Sequence, residues 1–452
     1  MSGKRDAAER IHDFLEVDTG LSENNAVLEA SRCMECVRPK CIEGCPVNIN
    51  IPGFIAEVVK KNYAEAAKIL KADNMLPAIC GRVCPQETQC QGRCVLGKKE
   101  RPVRIGALER FVADWEREQG IVTPEVGKPT GKRVAVVGSG PAGLTAAAEL
   151  ARYGHSVTLF ESLHAPGGVL TYGIPSFRLP KDIVREEIDQ VLKLGVDLKL
   201  NHIVGRSVPV DELLAYDAVF LGMGAGLPSF MNIEGEGLNG VYSANEFLTR
   251  VNLMHADKFP DYDTPVIKGK KVVVVGGGNV AMDASRIARR MGAEVKLVYR
   301  RRMEDLPARQ DEIKNAVEEG VEFICCANPT KILGEVAVSG IECVKMDMGK
   351  PDESGRPVPV PMSGPDATFT LDADVVIEAI GQSPNPLLLS LMPDLERGRH
   401  GTVFVNAAGM TSILHVFAGG DIATGAATVI EAMGTAKKAA AAMNEYLTKI
   451  SE

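Results

Sequence analysis

The chain has no apolar run long enough to cross a bilayer, no secretory leader, no excess of basic residues and, between Cys94 and Cys325, no cysteine. The valine-rich strings at Val134–Val137 and Val272–Val275 fall far short of the roughly 20 residues that a membrane helix needs. The alanine-rich tail at Ala436–Met443 is interrupted by Lys437 and Lys438. A formal charge of −8 leaves no basic footprint for nucleic acid. The start, Met1-Ser-Gly-Lys-Arg-Asp, is charged rather than apolar, so a cytoplasmic location is expected, with neither membrane nor nucleic acid among the partners. In that compartment, clustered cysteines read as metal ligands rather than disulfides. The cysteine-free stretch excludes a redox disulfide from the middle of the chain. What remains is globular: 452 residues, 45% apolar and 24% charged, enough for two or three domains.

The cysteines that are present are concentrated early. The first set is Cys33-x2-Cys36-x4-Cys41-x3-Cys45-Pro46, and the second is Cys80-x3-Cys84-x5-Cys90-x3-Cys94. Between them, Ile55–Leu70 has apolar residues at helical spacing, and a second helix is expected at Ile105–Trp115. Zinc sites usually show paired C-x2–4-C units. A run of four cysteines ending in Cys-Pro instead resembles the two-cluster ferredoxins, whose fourth cysteine crosses to the other cluster. Two cubane clusters need about eight ligands, and counting alone supplies eight cysteines, Cys80 included. Structural zinc is the alternative.

After a Pro- and Gly-bearing linker near Gly120–Gly131 the pattern changes. A strand at Arg133–Val137 runs into Gly138-Ser-Gly140-Pro141-Ala142-Gly143, and the next strand ends at Glu161. The first glycine permits a tight turn, the second lets backbone approach a pyrophosphate, and the third lets helix pack on sheet. The helix N-terminus adds free N–H groups for the phosphates. A carboxylate at the end of the next strand accepts from ribose hydroxyls and repels a 2′-phosphate, so this site selects FAD or NAD. The same grammar returns at Gly276-Gly-Gly278-Asn279-Val280-Ala281-Met-Asp283, but the following strand ends in Tyr299-Arg300-Arg301-Arg302. A guanidinium fork suits a 2′-phosphate, so the second site is expected to take NADPH. Two such units imply an α/β chain in which a helical iron–sulfur domain (1–125) precedes two Rossmann-like domains. The FAD domain is expected at 130–225 and 378–452, with the NADPH domain, 226–377, inserted in it.

The first fingerprint resembles the FAD half of two-dinucleotide-domain flavoprotein reductases. That likeness extends to Ala418-Gly-Gly420-Asp421 and the helix start near Thr428. It implies that Asp421 binds the ribityl–phosphate portion and that the helix start faces the flavin. The runs Cys80-Gly-Arg-Val-Cys84-Pro, Cys94-Val-Leu-Gly-Lys and Ile105-Gly-Ala-Leu-Glu109-Arg-Phe are closer still to one family. They resemble the small subunit of NADPH glutamate synthase, and also the N-terminal half of dihydropyrimidine dehydrogenase and the large subunit of NADH-dependent reduced ferredoxin:NADP oxidoreductase. Gly167-Gly168-Val-Leu170-Thr-Tyr172-Gly173 matches the same family near the flavin ring. The resemblance implies crossed ligation. Cys33, Cys36, Cys41 and Cys94 would hold one [4Fe–4S] cluster, and Cys45, Cys84, Cys90 and Glu109 the other, leaving Cys80 over. It also implies electron flow between NADPH, FAD, the clusters and a partner in a hetero-oligomer. That partner is expected to be a glutamate synthase large subunit or, on a flavin-bifurcating reading, a small flavoprotein or ferredoxin. The chain has no room for a glutamine amidotransferase or a flavin-bearing (β/α)8 barrel, so glutamate formation would fall to the partner.

Overall fold

The computed structural model describes residues 3–99, 101–266, 269–352 and 355–449. Seven α-helices and one short 3-10 helix among them precede the first strand, the longest being Ile51–Val59, Tyr63–Asp73 and Ile105–Gln119. The apolar spacing over Ile55–Leu70 is split between the first two of these rather than carried by one helix. Lys61 adopts φ 59, and the amides of Lys61 and Asn62 turn back onto the carbonyls of Val58 and Glu57. This is a Schellman ending, made here by a lysine instead of the usual glycine.

Phe54, Ile55, Leu70, Leu76, Ile79 and Leu108 are fully buried, and the same core runs on into the helices Pro141–Arg152 and Val429–Lys449. The alanine-rich tail is therefore a helix with one face buried. Ala436, Ala439 and Ala440 share that core with Ala146, Ala147 and Ala148, and such small side chains let the two helices approach closely. The N-terminal helices thus have no core of their own. They are built onto the back of the first dinucleotide unit, which brings the cysteines towards it. Among the described residues no helix is long and apolar enough to cross a membrane.

The first parallel sheet has the strand order Val416–Ala418, Ala218–Leu221, Arg133–Val137, Ser156–Phe160, Asp197–Lys199. The second runs Val241–Ser243, Val375–Glu378, Lys271–Val275, Glu294–Tyr299, Glu322–Cys325, again parallel throughout. In each, the strand that feeds the glycine turn is central. Its crossover helix leads to one neighbour, while the other neighbour comes from later in the chain. That change of direction opens a crevice at the carboxyl ends, where ligands of such sheets bind. The chain passes between the two units through an antiparallel pair, Leu227–Pro228 against Gln382–Ser383. The boundary expected at 377/378 falls inside the strand Val375–Glu378, which stays with the second sheet. An antiparallel sheet formed by Ala327–Gly334, Val338–Pro351, Pro357–Pro361 and Thr368–Asp372 covers part of the second unit.

A buried ion network pins the three parts together. Arg286 and Arg290 from the second fingerprint helix, and Arg10 from the N-terminal segment, converge on Glu319. Arg178, from the first unit, pairs with Asp283. Phe177 stacks under Arg290 and Arg286, at 3.9 and 4.5 Å from the guanidinium carbons. Burial alone would raise the Glu319 carboxyl, but the hydrogen bonds and charges of Arg286 and Arg290 outweigh it and hold the group down at about 2.

Candidate functional site

At the carboxyl end of the first sheet, three segments meet. Gly138 takes φ +94, and the Gly138 carbonyl lies so close to Gly143 that a side chain there would collide with it at 1.7 Å. Helix Pro141–Arg152 therefore sits tight on the turn. Gly140, by contrast, faces open space, with nothing within 4 Å of where a side chain would begin. The helix N-terminus carries no side-chain cap bond. Gly168 rests against Gly140, a Cβ there falling 2.8 Å from the Gly140 Cα, and the Gly167 amide donates to Ser139 Oγ at 3.0 Å. Gly420 comes up against Ala142, and a Cβ on it would fall 2.8 Å from the Ala142 Cβ. Leu170 is fully buried behind this surface. An open backbone cradle with free amides fits a pyrophosphate.

Glu161, expected to face a ribose, is buried and holds the turn. Its Oε2 accepts from the Ser139 amide at 3.0 Å and hydroxyl at 2.5 Å, and its Oε1 from the Leu163 amide at 2.8 Å. Asp421 starts a short helix and accepts from the Ala427 amide at 3.3 Å, and burial pushes its carboxyl up to about 6. Thr428 and Glu431 bond reciprocally at the head of the helix Val429–Lys449, a capping box that fixes the helix start.

The second glycine turn opens into a cavity of about 630 Å³ lined by Gly276, Gly278, Asn279, Val280, Arg300 and Arg301. Gly278 also faces open space. Arg300 is exposed, whereas Arg301 is buried and donates from Nε to the Pro357 carbonyl at 2.9 Å. Asp283 corrects the sequence expectation. It does not line the cavity but is buried one turn further along the helix, where it accepts from Arg178 Nη1 at 2.8 and 2.6 Å. Its carboxyl serves the joint between the units. Two cavity residues had no signal in the sequence. Arg356 comes from the covering sheet and is held by the Asp305 carbonyl at 2.9 Å. Glu378 ends the strand beside the glycine turn. Ala426, next to the first site, lines the cavity too, so the two sites adjoin.

The cysteines fall into two groups. Cys33, Cys36, Cys41 and Cys94 surround one small void. Cys45, Cys80, Cys84, Cys90 and Glu109 surround another, together with Ile430 of the last helix. Asn74 organises the second group, donating from Nδ2 to Glu109 Oε1 at 2.8 Å and lying 3.8 Å from Cys80 Sγ through Oδ1. The Cys80 sulfur also touches Met433 Sδ at 3.5 Å. Burial raises the Cys41 and Cys45 thiols to about 11 and pushes Cys90 up further. Burial likewise lifts Glu109 to about 8, against the Asn74 bond and with Glu187 adding. The neighbours that weigh on Cys45 and Cys90 are other thiols and Glu109, none of them cationic. Buried anionic donors without a counter-charge are costly, and a cationic iron–sulfur core supplies that counter-charge. Among the described residues no three such groups converge as ligands of a single ion would.

The two sheets, the two glycine cradles and the thiol-lined layer define a class. Residues 132–443 match the family model described as pyridine nucleotide-disulphide oxidoreductase, and residues 10–121 match dihydropyrimidine dehydrogenase domain II, 4Fe-4S cluster. The chain is an NADPH-, FAD- and iron–sulfur-dependent oxidoreductase, and the iron–sulfur match displaces the zinc alternative. Within that class it belongs to the glutamate synthase small-chain family. It is 37% identical over 455 residues to the glutamate synthase [NADPH] small chain of Azospirillum brasilense, covering 99% of this chain and 94% of that one. It is also 40% identical over 439 residues to the NADP(+)-dependent formate dehydrogenase subunit beta of Moorella thermoacetica. That match covers 91% of this chain but spans only 60% of the relative. FprA of Mycobacterium tuberculosis, solved in complex with NADPH, shares the fold, with a TM-score of 0.61 at 21% identity over 72% of this chain and 86% of that one.

Proposed function

We propose that the chain is the electron-input subunit of an NADPH-dependent glutamate synthase, carrying NADPH, FAD and two [4Fe–4S] clusters and delivering electrons to a large subunit. Gly276, Gly278, Asn279 and Val280 cradle the NADPH pyrophosphate, and Arg300 and Arg301 take the 2′-phosphate. Gly138, Gly140, Pro141, Ala142, Gly143, Gly168, Leu170, Gly420, Asp421 and Thr428 hold FAD, with Glu161 fixing the turn. Cys33, Cys36, Cys41 and Cys94 ligate an outer cluster, and Cys45, Cys84, Cys90 and Glu109 an inner one. These residues belong to units expected at 1–125, 130–225 with 378–452, and 226–377, the last inserted through the paired crossing strands and extended by Glu378, whose strand stays with its sheet. When bound, these groups supply hydride transfer from nucleotide to flavin and one-electron relay outwards.

One observation carries the reading: the inner thiol group is packed against the start of the helix that begins at the flavin site. Ile430 lines its void, Gln89 donates to the Thr428 hydroxyl at 3.5 Å, and Pro46 presses on Gly434 so closely that a Cβ there would be 2.7 Å from its carbonyl. That helix start presents its positive dipole end to the flavin site. Anaerobically purified protein should carry about eight irons and one FAD per chain, with NADPH bleaching both chromophores. About four irons per chain would overturn the two-cluster count.

The surface over the outer group supports a protein acceptor. Val37 is 99% and Met34 64% exposed, and Arg38, Arg93, Lys98 and Lys99, close in sequence to Cys36 and Cys94, are exposed, as are Glu35 and Glu43, on a chain of net charge −8. Exposed cations beside a cluster attract an acidic partner, and such steering accelerates association by about 10–10³-fold. Arg38→Glu with Lys99→Glu should slow electron delivery to the large subunit at least tenfold at low salt and leave NADPH-dependent flavin reduction unchanged. An unaltered, salt-independent rate would place the docking face elsewhere.

A further inference from the structure

The cavity that faces Arg300 and Arg301 also contains a carboxyl group that no motif explains. Glu378 ends the strand Val375–Glu378, beside the central one and level with Val275 and Ser243 in the sheet. The next residue, Ala379, closes on the phosphate turn: a Cβ on Gly276 would lie 2.2 Å from its carbonyl oxygen. Glu378 lines the cavity yet is only 2% exposed. Its Oε2 accepts from the Met231 amide at 3.2 Å, while its Oε1 is buried and has no partner among the described residues. A buried polar atom left unpaired costs about 1–3 kcal/mol, so this oxygen is either a burden on the fold or a contact kept for a ligand.

We propose that Glu378 is a positioning residue for the nicotinamide nucleotide, engaging it as a neutral carboxylic acid, so that nucleotide binding is coupled to proton uptake. The inference rests on reading this cavity as the NADPH site. Its physical basis is charge. The ligand is a polyanion whose pyrophosphate is placed at the adjacent turn, and an ionised carboxylate beside it would repel it in a water-poor cleft. A protonated carboxyl has an O–H to donate instead.

The surroundings favour the neutral form. Burial raises the group to about 7, and the negative charge of Glu236, from the loop that supplies Met231, adds to the rise. Ser243 and Val275 beside it in the sheet carry no charge. Tyr299, Arg300, Arg301 and Arg356 line the same cavity from the end of the strand Glu294–Tyr299, two strands away, and from the covering sheet, and among the described residues none of them hydrogen-bonds Glu378. Free protein near pH 7 is therefore a mixture of the two forms, and a bound polyanion pulls the mixture towards the protonated one. By linkage, affinity then falls with rising pH, by at most tenfold per unit, once the free carboxyl has ionised.

The test is calorimetric binding of NADP+ to the oxidised holoprotein between pH 6.5 and 8.5, in buffers of different ionisation enthalpy. Wild type should take up a substantial fraction of a proton per NADP+ near pH 8. Glu378→Gln keeps an N–H donor without a titrating proton. It should bind within about threefold of wild type at pH 6.5, lose that uptake and flatten the dependence of Kd on pH. The 2′-phosphate of the ligand titrates near pH 6, but this contribution is common to both proteins and cancels in the comparison. Equal uptake by wild type and Glu378→Gln would overturn the assignment. So would wild type with no uptake beyond the ligand's own, a result that needs no variant at all. Wild type that binds no NADP+ would instead sink the cavity assignment beneath it.

Discussion

Glu109→Ala protein is expected to keep its FAD and its outer cluster and to lose the inner one. Iron should fall from about eight to about four atoms per chain, one of two reduced-cluster EPR signals should vanish, and electron delivery to an acceptor should drop more than tenfold. Reduction of the flavin by NADPH should proceed at its former rate, because nothing in the dinucleotide cavity changes. Glu109 is 6% exposed and, among the described residues, hydrogen-bonded only to Asn74, and burial raises its carboxyl to about 8. Such a carboxyl is expensive to ionise in place unless a cation meets it, and on the proposed ligation that cation is iron. Cys80 lines the same pocket, where its sulfur hydrogen-bonds the Cys84 thiol and touches Met433 and Asn74 at 3.5 and 3.8 Å, and the proposed ligand set leaves it over. Cys80→Ser should therefore leave iron content and EPR unchanged. Full iron in Glu109→Ala together with loss in Cys80→Ser would exchange the two roles.

How far the sequence alone reached follows from what each feature depends on. The glycine turns were legible because backbone sterics act locally. Gly143 has to be glycine where the Gly138 carbonyl would meet its side chain, and Gly138 and Gly276 need positive φ. Cysteine grouping was legible only through family likeness, since spacing counts ligands but does not say that Cys94 returns to Cys33. Three features left no trace. The break at Lys61 is hidden because the residue at that left-handed position is a lysine rather than glycine. Asp283 sits in a fingerprint and reads as a ligand residue, yet its helical face points at Arg178 across the unit joint, a contact made between residues 105 apart. Arg356 and Glu378 reach the cavity by tertiary placement, one from a covering sheet and one from a strand end that looks like ordinary core.

Arg356 changes what the nucleotide-specificity experiment should show. Replacing Arg300 and Arg301 together by alanine should raise Kd and KM for NADPH about 10²–10³-fold and alter those for NADH less than threefold. Hydrogen bonds to charged groups contribute about 1.5–3 kcal/mol each, and 1.4 kcal/mol is a factor of ten. Two guanidinium contacts to one phosphate dianion reach that range even when partly redundant. The geometry divides the labour between them. Arg300 is exposed and free to close on a ligand, whereas Arg301 is fastened to the Pro357 carbonyl and stands 3.8 Å from Asp352. Arg301 thus ties the strand end to the segment that carries Arg356, itself fixed on the Asp305 carbonyl. Arg300→Ala alone should act purely on NADPH. Arg301→Ala should weaken NADPH more than its own contact accounts for, because Arg356 loses its support. Arg356→Ala should cost about tenfold on NADPH and nothing on NADH. Direct titration of NADP+ and NAD+ against the three single variants and the double separates these effects. A double variant that weakens both nucleotides equally would show that the arginines hold the cavity together without reading the 2′-phosphate, and the assignment of NADPH to this site would fall with it.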